Sequence, residues 1–298
     1  MKICCAGEVM VEMAADTTDR RYLRGMAGDS FNTAVYLARA GLAVSYLTRL
    51  GDDPFSDEMV AFLRREGIDD RCVERCPGRL PGLYTISNDA DGERRFHYWR
   101  DTAPVRSLFA REPQLPDELD LFYLTGITLA VTRDHLEQLL ALLDRLRDGG
   151  CRVAFDPNYR PALWDDAEQA RRHCQALLAR CDIALPTLDD DVALWSVRDV
   201  QDCHEFYAGH GIAEIVVKGP ALTAYAWGGG DTAQRRAQAL PAVDTTGAGD
   251  SFNAGYLAAR LGGANLAAAL AAGQDLAADV VQHRGAILPP QHSVEGTV

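Results

Sequence analysis

The 298-residue sequence predicts an α/β fold: a central, mostly parallel sheet with helices on both faces and a small set of strands standing outside it. Three observations point there. Short apolar runs alternate with amphipathic helical stretches along most of the chain, the pattern of repeated strand–helix units. The runs are continuously apolar, as strands covered on both faces require. One polar, alternating segment breaks the rhythm and does not fit inside such a sheet.

In chain order, residues 3–6 form a buried strand. Residues 31–40 have helical spacing at Phe31, Val35, Leu37 and Ala38 and stop at Gly41, a natural C-cap. Residues 44–50 read as a strand, and residues 55–66 as a helix stopped by Gly67. Residues 121–124, 153–155, 183–185 and 215–217 are short apolar runs suited to central strands, with helices over residues 133–147 and 168–180 between them. The last helices, residues 251–261 and 266–283, are rich in alanine, which allows close packing on a sheet. Residues 82–87 and 93–100 alternate in character around Asn88-Asp89-Ala90-Asp91-Gly92 and predict a hairpin. This hairpin, joined by residues 10–24, is expected to form a flap that keeps water from the site. The whole chain, 1–298, is expected to be a single domain, with lid strands from about 10–24 and 80–100.

Composition narrows the function. A formal net charge of −13, from 30 Lys+Arg against 43 Asp+Glu, argues against nucleic acid or an anionic membrane as main partner. Glu8 interrupts the first apolar run, so no secretory signal is expected, and no stretch approaches the ~18 uncharged apolar residues of a membrane span. The 8 cysteines form no paired CxxC set, which favours reduced thiols and a cytoplasmic location over structural zinc.

Chemistry concentrates at Asp244-Thr245-Thr246-Gly247-Ala248-Gly249-Asp250, followed at once by a helical stretch. Small residues let backbone N–H groups converge on an anion, and a helix start adds unpaired donors and partial positive charge. An acid in that setting suggests phosphoryl transfer to a hydroxyl, with Asp250 taking the proton and Gly247, Ala248 and Gly249 holding the phosphoryl oxygens. The same residues also fit a plain glycine turn with an aspartate near a helix start. A second patch, Gly25-Met26-Ala27-Gly28-Asp29-Ser30-Phe31-Asn32, places Asp29 and Asn32 where short polar side chains reach sugar hydroxyls.

These two patches, more than two hundred residues apart, resemble both signatures of the ribokinase/PfkB family of sugar kinases: residues 27–41 the N-terminal one and 244–256 the C-terminal one. The resemblance covers essentially the whole chain. It implies a ribokinase-like domain with a β lid, ATP as donor, Mg²⁺, an aspartate base at Asp250, and more than one copy in the assembly. Within the family the likeness is strongest to the branch acting on 2-keto-3-deoxygluconate. It is carried by Arg79-Leu80-Pro81-Gly82-Leu83-Tyr84 with Gly92-Glu93-Arg94-Arg95-Phe96-His97-Tyr98-Trp99-Arg100, by Phe155-Asp156-Pro157-Asn158-Tyr159-Arg160-Pro161-Ala162-Leu163-Trp164, and by Leu188-Asp189-Asp190-Asp191-Val192-Ala193-Leu194-Trp195. Fructokinase and ketodeoxygalactonate kinase are the alternatives on the same scaffold; a non-catalytic sugar or nucleotide sensor is the alternative from another class. A dinucleotide oxidoreductase is disfavoured, because Gly7-Glu8-Val9-Met10 lacks the GxGxxG fingerprint.

A sugar acid needs a cation that a neutral sugar does not. Arg100 and Arg160 are the candidates for its carboxylate, with Gly28, Asp29, Asn32, Tyr84 and Tyr98 for the rest of the acceptor. Arg160 also fits the nucleotide phosphates, and each of these residues also fits a structural role. On the nucleotide side the resemblance points to Asn158, Lys218, Gly219, Gly247 and Gly249. Pro220 and Thr223 depart from the family's usual loop, and Thr187-Leu188-Asp189-Asp190 departs from its Asn-x-x-Glu element. Asp190 then stands for the glutamate, reaching Mg²⁺ through water.

Overall fold

A computed structural model describes residues 1–16, 21–88 and 94–289. In chain order the elements are β1 (Lys2–Ala6), β2 (Met10–Asp16), β3 (Arg21–Ala27), α1 (Asp29–Arg39), β4 (Ala43–Leu50), α2 (Pro54–Arg65), β5 (Val73–Arg75), β6 (Leu83–Asn88) and β7 (Arg94–Trp99). Then follow β8 (Leu121–Thr125), α3 (Gly126–Val131), α4 (Leu136–Asp148), β9 (Arg152–Asp156), α5 (Ala167–Leu178), β10 (Ile183–Ala184), α6 (Leu188–Trp195) and α7 (Val200–Gly209). The chain closes with β11 (Glu214–Lys218), β12 (Thr223–Gly228), β13 (Asp231–Arg236), α8 (Ala248–Leu261) and α9 (Leu266–Val280).

Nine strands form the main sheet in the order β13-β12-β11-β10-β9-β8-β1-β4-β5. From β11 to β5 every pair is parallel, and β12 and β13 add an antiparallel edge. Alternation along each strand feeds two cores. On β1, Cys4 and Ala6 join one side with Phe122, Leu143, Leu177 and Tyr207, while Ile3 and Cys5 join the other with Phe31, Leu63, Tyr256 and Leu270. A period of two with both faces buried is what continuous apolar strands dictate.

A second sheet of four strands, β3-β2-β6-β7, stands apart as the expected flap. Here β2 and β6 run parallel, and the pairs β2–β3 and β6–β7 are antiparallel. The tip of the expected hairpin, residues 89–93, including Gly92 and Glu93, lies outside the described residues.

Three expectations change. The β12–β13 edge was not foreseen: β13, Asp231–Arg236, is polar and largely exposed, and β12, Thr223–Gly228, is buried only at alternate positions. The helix expected over residues 133–147 opens instead as a 3₁₀ turn, Arg133–His135, before α4 begins. The final helix stops at Val280, short of residue 283.

Candidate active site

Two helix starts face each other at the carboxyl ends of the strands, where ligands bind in open α/β sheets. The first is that of α1. Gly28 precedes it, and a Cβ there would lie 2.0 Å from the Glu8 carbonyl oxygen, so only glycine lets β3 cross β1's exit. Asp29 and Asn32 then point from the first turn. The second is that of α8. Gly247 is its N-cap at φ 77°, a left-handed conformation that favours glycine, and no side chain caps the helix.

Asp250, in the first turn of α8, faces α1. Asn32 Nδ2 donates to Asp250 Oδ2 at 2.8 Å, and Thr33 Oγ1 donates to the Asp250 carbonyl at 3.1 Å. Burial pushes the Asp250 carboxyl up to about 8, the negative charges of Asp29 and Asp156 add to the rise, and Asn32 and Lys218 oppose it. Asp29 is likewise raised, first by burial; Thr125, the Ser30 amide and Asn158 work against the rise. Asn158 sits at φ 34°, which asparagine tolerates better than most residues. Its Nδ2 donates to Asp29 Oδ2 at 2.9 Å, so it lies on the Asp29 side rather than beside the glycine turn.

On the other side of the α8 start is a cleft of about 360 Å³, lined mainly by apolar groups. Gly219 and Thr223 come from the β11–β12 turn, Ala248, Gly249 and Phe252 from α8, and Ala277 and Val281 from the α9 end. A Cβ at Gly249 would meet nothing within 4 Å. Among the described residues the Gly247 and Gly249 amides have no protein acceptor, whereas Ala248 N–H donates to the Thr245 carbonyl at 3.2 Å. The three-donor cradle expected from Gly247, Ala248 and Gly249 therefore has two open donors, since the turn that builds the helix start uses the third.

Lys218 lines the same cleft, but its ammonium does not extend freely into it. It donates to Asp156 Oδ2 and Asn253 Oδ1, both at 3.0 Å. Asn253 Nδ2 in turn donates to Asp156 Oδ2 at 2.6 Å and to the Tyr123 hydroxyl at 3.1 Å. Sequence reasoning missed Asp156 and Asn253 as site residues. The available signal for Asp156 was an acid ending an apolar strand.

Tyr84 is buried and its hydroxyl donates to Glu12. Tyr98 is half exposed and stands near the guanidinium of Arg100, 5.5 Å from its ring centre. Trp99 is 61% exposed. Arg100 is buried, with one guanidinium nitrogen paired to Glu8, and its Nε has no partner among the described residues. Glu8, which the sequence alone did not mark as a site residue, is this arginine's counter-charge. Arg160 reaches Asp190, with Nη1 3.0 Å from both carboxylate oxygens.

Asp190 thus carries an arginine where a water-mediated metal contact was expected. No group of three or more His, Cys, Asp or Glu side chains converges to hold a metal among the described residues. Hard oxygen donors are nevertheless at hand in Asp156 and Asp190, and Mg²⁺ commonly rests on phosphates and water with only one or two carboxylates. The donor set fits a cation arriving with a nucleotide.

The family model for the pfkB family carbohydrate kinase matches residues 1–293. The chain belongs to the PfkB family of carbohydrate kinases. The 2-dehydro-3-deoxygluconokinase of Escherichia coli K12 is 41% identical over 302 residues, covering 97% of each chain. Among solved structures, the 2-dehydro-3-deoxygluconokinase of Thermotoga maritima superposes with a TM-score of 0.85 at 18% identity, covering 97% of this chain and 94% of that one. An E. coli structure in complex with ATP and Mg²⁺ superposes with a TM-score of 0.84 at 22% identity, over 96% and 94%. The fold of this kinase is thus ribokinase-like, and no described helix is long and apolar enough to cross a membrane.

Proposed function

We propose that this kinase transfers the terminal phosphoryl group of ATP to the terminal hydroxyl of 2-keto-3-deoxygluconate, giving the 6-phosphate and ADP. The observation that carries the reading is the two-sided start of α8: Asp250 faces the polar side chains of α1, while Gly249 faces the apolar cleft. A nucleotide in the cleft would bring its terminal oxygens to the Gly247 and Gly249 amides, while a sugar hydroxyl approaches from the Asp29 and Asn32 side. The 41% identical kinase named for this acceptor supports the choice of substrate.

In this mechanism Asp250 accepts the hydroxyl proton as the oxygen attacks phosphorus and the bond to ADP breaks. Asn32 fixes the orientation of that carboxylate, and positioning supplies most of the rate, as phosphoryl transfer requires. Gly28, Asp29, Tyr84, Tyr98, Arg100 and Arg160 surround the acceptor; Asn158 holds Asp29 for it. Lys218 and Gly219 border the nucleotide, with Lys218 balancing Asp156. Mg²⁺ held by the nucleotide phosphates would neutralise their charge, and Asp190 would serve it through water on releasing Arg160. The lid closes the site against water. The whole chain works as one kinase unit in the cytoplasm, and the exposed lid residues Tyr22 and Trp99, on the same side of the lid sheet, offer an apolar face for homo-oligomer formation.

The test mixes purified protein with ATP, Mg²⁺ and, in turn, 2-keto-3-deoxygluconate, ketodeoxygalactonate and fructose, and measures ADP release. The reading expects the highest kcat/KM for ketodeoxygluconate, with phosphate on its terminal oxygen. A higher value for another acceptor replaces the substrate, and no turnover with any of them leaves a sensor.

A further inference from the structure

Three arginines approach the acceptor side, and their charges are not equivalent. Arg100 is paired with buried Glu8, and Arg160 shares its charge with Asp190. Each of these cations already has a carboxylate. Arg106, on the 3₁₀ turn Pro104–Ser107, is different: its guanidinium makes no hydrogen bond or ion pair among the described residues.

Arg106 lines a cavity of about 200 Å³ together with Arg100, Arg133 and Trp164. Its walls come from the segment after β7, the end of α3 and the stretch that follows β9, and Arg100, beside Glu8 and Tyr98, ties it to the acceptor side. Arg133 is tied to the Ala130 and Leu163 carbonyls and stands 3.6 Å from Asp165. The two acids on the walls, Asp101 and Asp165, are exposed, where water screens them. Arg100 lines the same cavity, and its buried Nε has no partner among the described residues. The charge of Arg106 also reaches Glu8, where it joins Arg100 in opposing the upward push of burial.

A ligand carboxylate leaving water gains most from a cation with no competing counter-charge. We infer that Arg106 is a specificity-determining residue of this kinase: with Arg100 it receives the carboxylate that distinguishes a sugar acid from a neutral sugar. This deepens the proposed function and rests on it. Arg100 and Arg160 contribute donors, and Arg106 contributes the uncompensated charge.

The experiment compares wild type, Arg106→Leu and Arg106→Lys with 2-keto-3-deoxygluconate and with fructose, the latter read as slow turnover or as inhibition against the acid. Arg106→Leu is expected to raise KM for the acid about tenfold or more, the scale of a lost charge-assisted contact. The KM for ATP and the affinity for fructose stay within about twofold on that scale. Arg106→Lys restores much of the loss, because the charge remains. An unchanged KM for the acid overturns the inference. So does a parallel loss for fructose, which marks a structural role. Should the leucine variant melt early, Arg106→Gln, which keeps polarity and most of the bulk, decides by the same two outcomes. A wild type that phosphorylates no sugar acid at all removes the underlying reading instead, and that result is separate.

Discussion

Asp250 must lose its proton before it can take another, so its raised position has a kinetic consequence. With the carboxyl pushed up to about 8, chiefly by burial and then by the charge of Asp29, the free enzyme is largely protonated at pH 7. The kcat/KM measured below saturation reports the free enzyme, so it should rise with pH, reach half its plateau near 8 and level off above that. Asp29→Asn removes a neighbouring negative charge and should move that inflection to lower pH; an inflection that stays in place takes Asp29 out of the electrostatic account. Gly249 gives a second residue-scale test. Its Cβ position is open space on the cleft wall, so Gly249→Ala should fold normally and raise KM for ATP severalfold. A lowered melting temperature with unchanged KM would place that glycine in packing instead. The sequence made Asp250, Asn32 and the glycine turn legible, because an acid between small residues at a helix start is chemically unusual. Asp156, Asn253 and Glu8 were not, since their meaning lies in partners distant along the chain.

At the scale of elements, α8 is held where it is by a close seam with α9. A Cβ on Gly255 would lie 2.7 Å from the Ala272 carbonyl, and one on Gly273 would lie 2.8 Å from the Phe252 carbonyl. Gly255→Ala should therefore cost about 1–3 kcal/mol, as overpacking does, read from denaturant melts. The turn between β11 and β12 carries the opposite defect. Ala221 and Leu222 have φ of 51° and 58°, and Thr223 N–H donates to the Pro220 carbonyl at 3.0 Å. Two positive φ values mark a mirror-image hairpin turn, which suits Asn-Gly far better than Ala-Leu. Leu222→Gly should raise stability by about 1 kcal/mol, and a loss of stability would show that Leu222 is held by contacts outweighing its strain. The turn into β12 thus gives no hairpin signal in the sequence, although the next one, Gly229-Gly230 between β12 and β13, carries the usual residues with φ of 62° and 86°. Central strands were legible, because burial on both faces writes a continuous apolar run that no exposed edge strand shares.

Over the whole molecule, acids buried without full compensation set the response to pH. Glu8, Asp29, Asp191 and Asp250 all have carboxyls raised by burial. Asp191, fully buried with no partner for Oδ1 among the described residues and Oδ2 accepting from Cys203 at 3.3 Å, is pushed up to about 7. A raised acid keeps its proton in the folded state after the unfolded chain has lost it. Stability therefore falls as pH rises from about 4 to 7 for Asp191, and is flat with respect to it outside that window. Asp191→Asn should flatten that part of the curve by on the order of a few kcal/mol and raise the melting temperature at neutral pH. An unaltered slope would mean that Asp191 keeps a compensating partner. The net charge of −13 acts in the same direction through self-repulsion.

Phosphoryl transfer at the junction of cleft and lid depends most on Asp250 taking the acceptor's proton. The direct measurement is the steady-state kinetics of Asp250→Asn, with folding checked by its melting curve. Asparagine keeps the size and the partnership with Asn32, so the prediction is a kcat lower by roughly 10²-fold or more with both KM values nearly unchanged. A kcat within a few fold of wild type would contradict it.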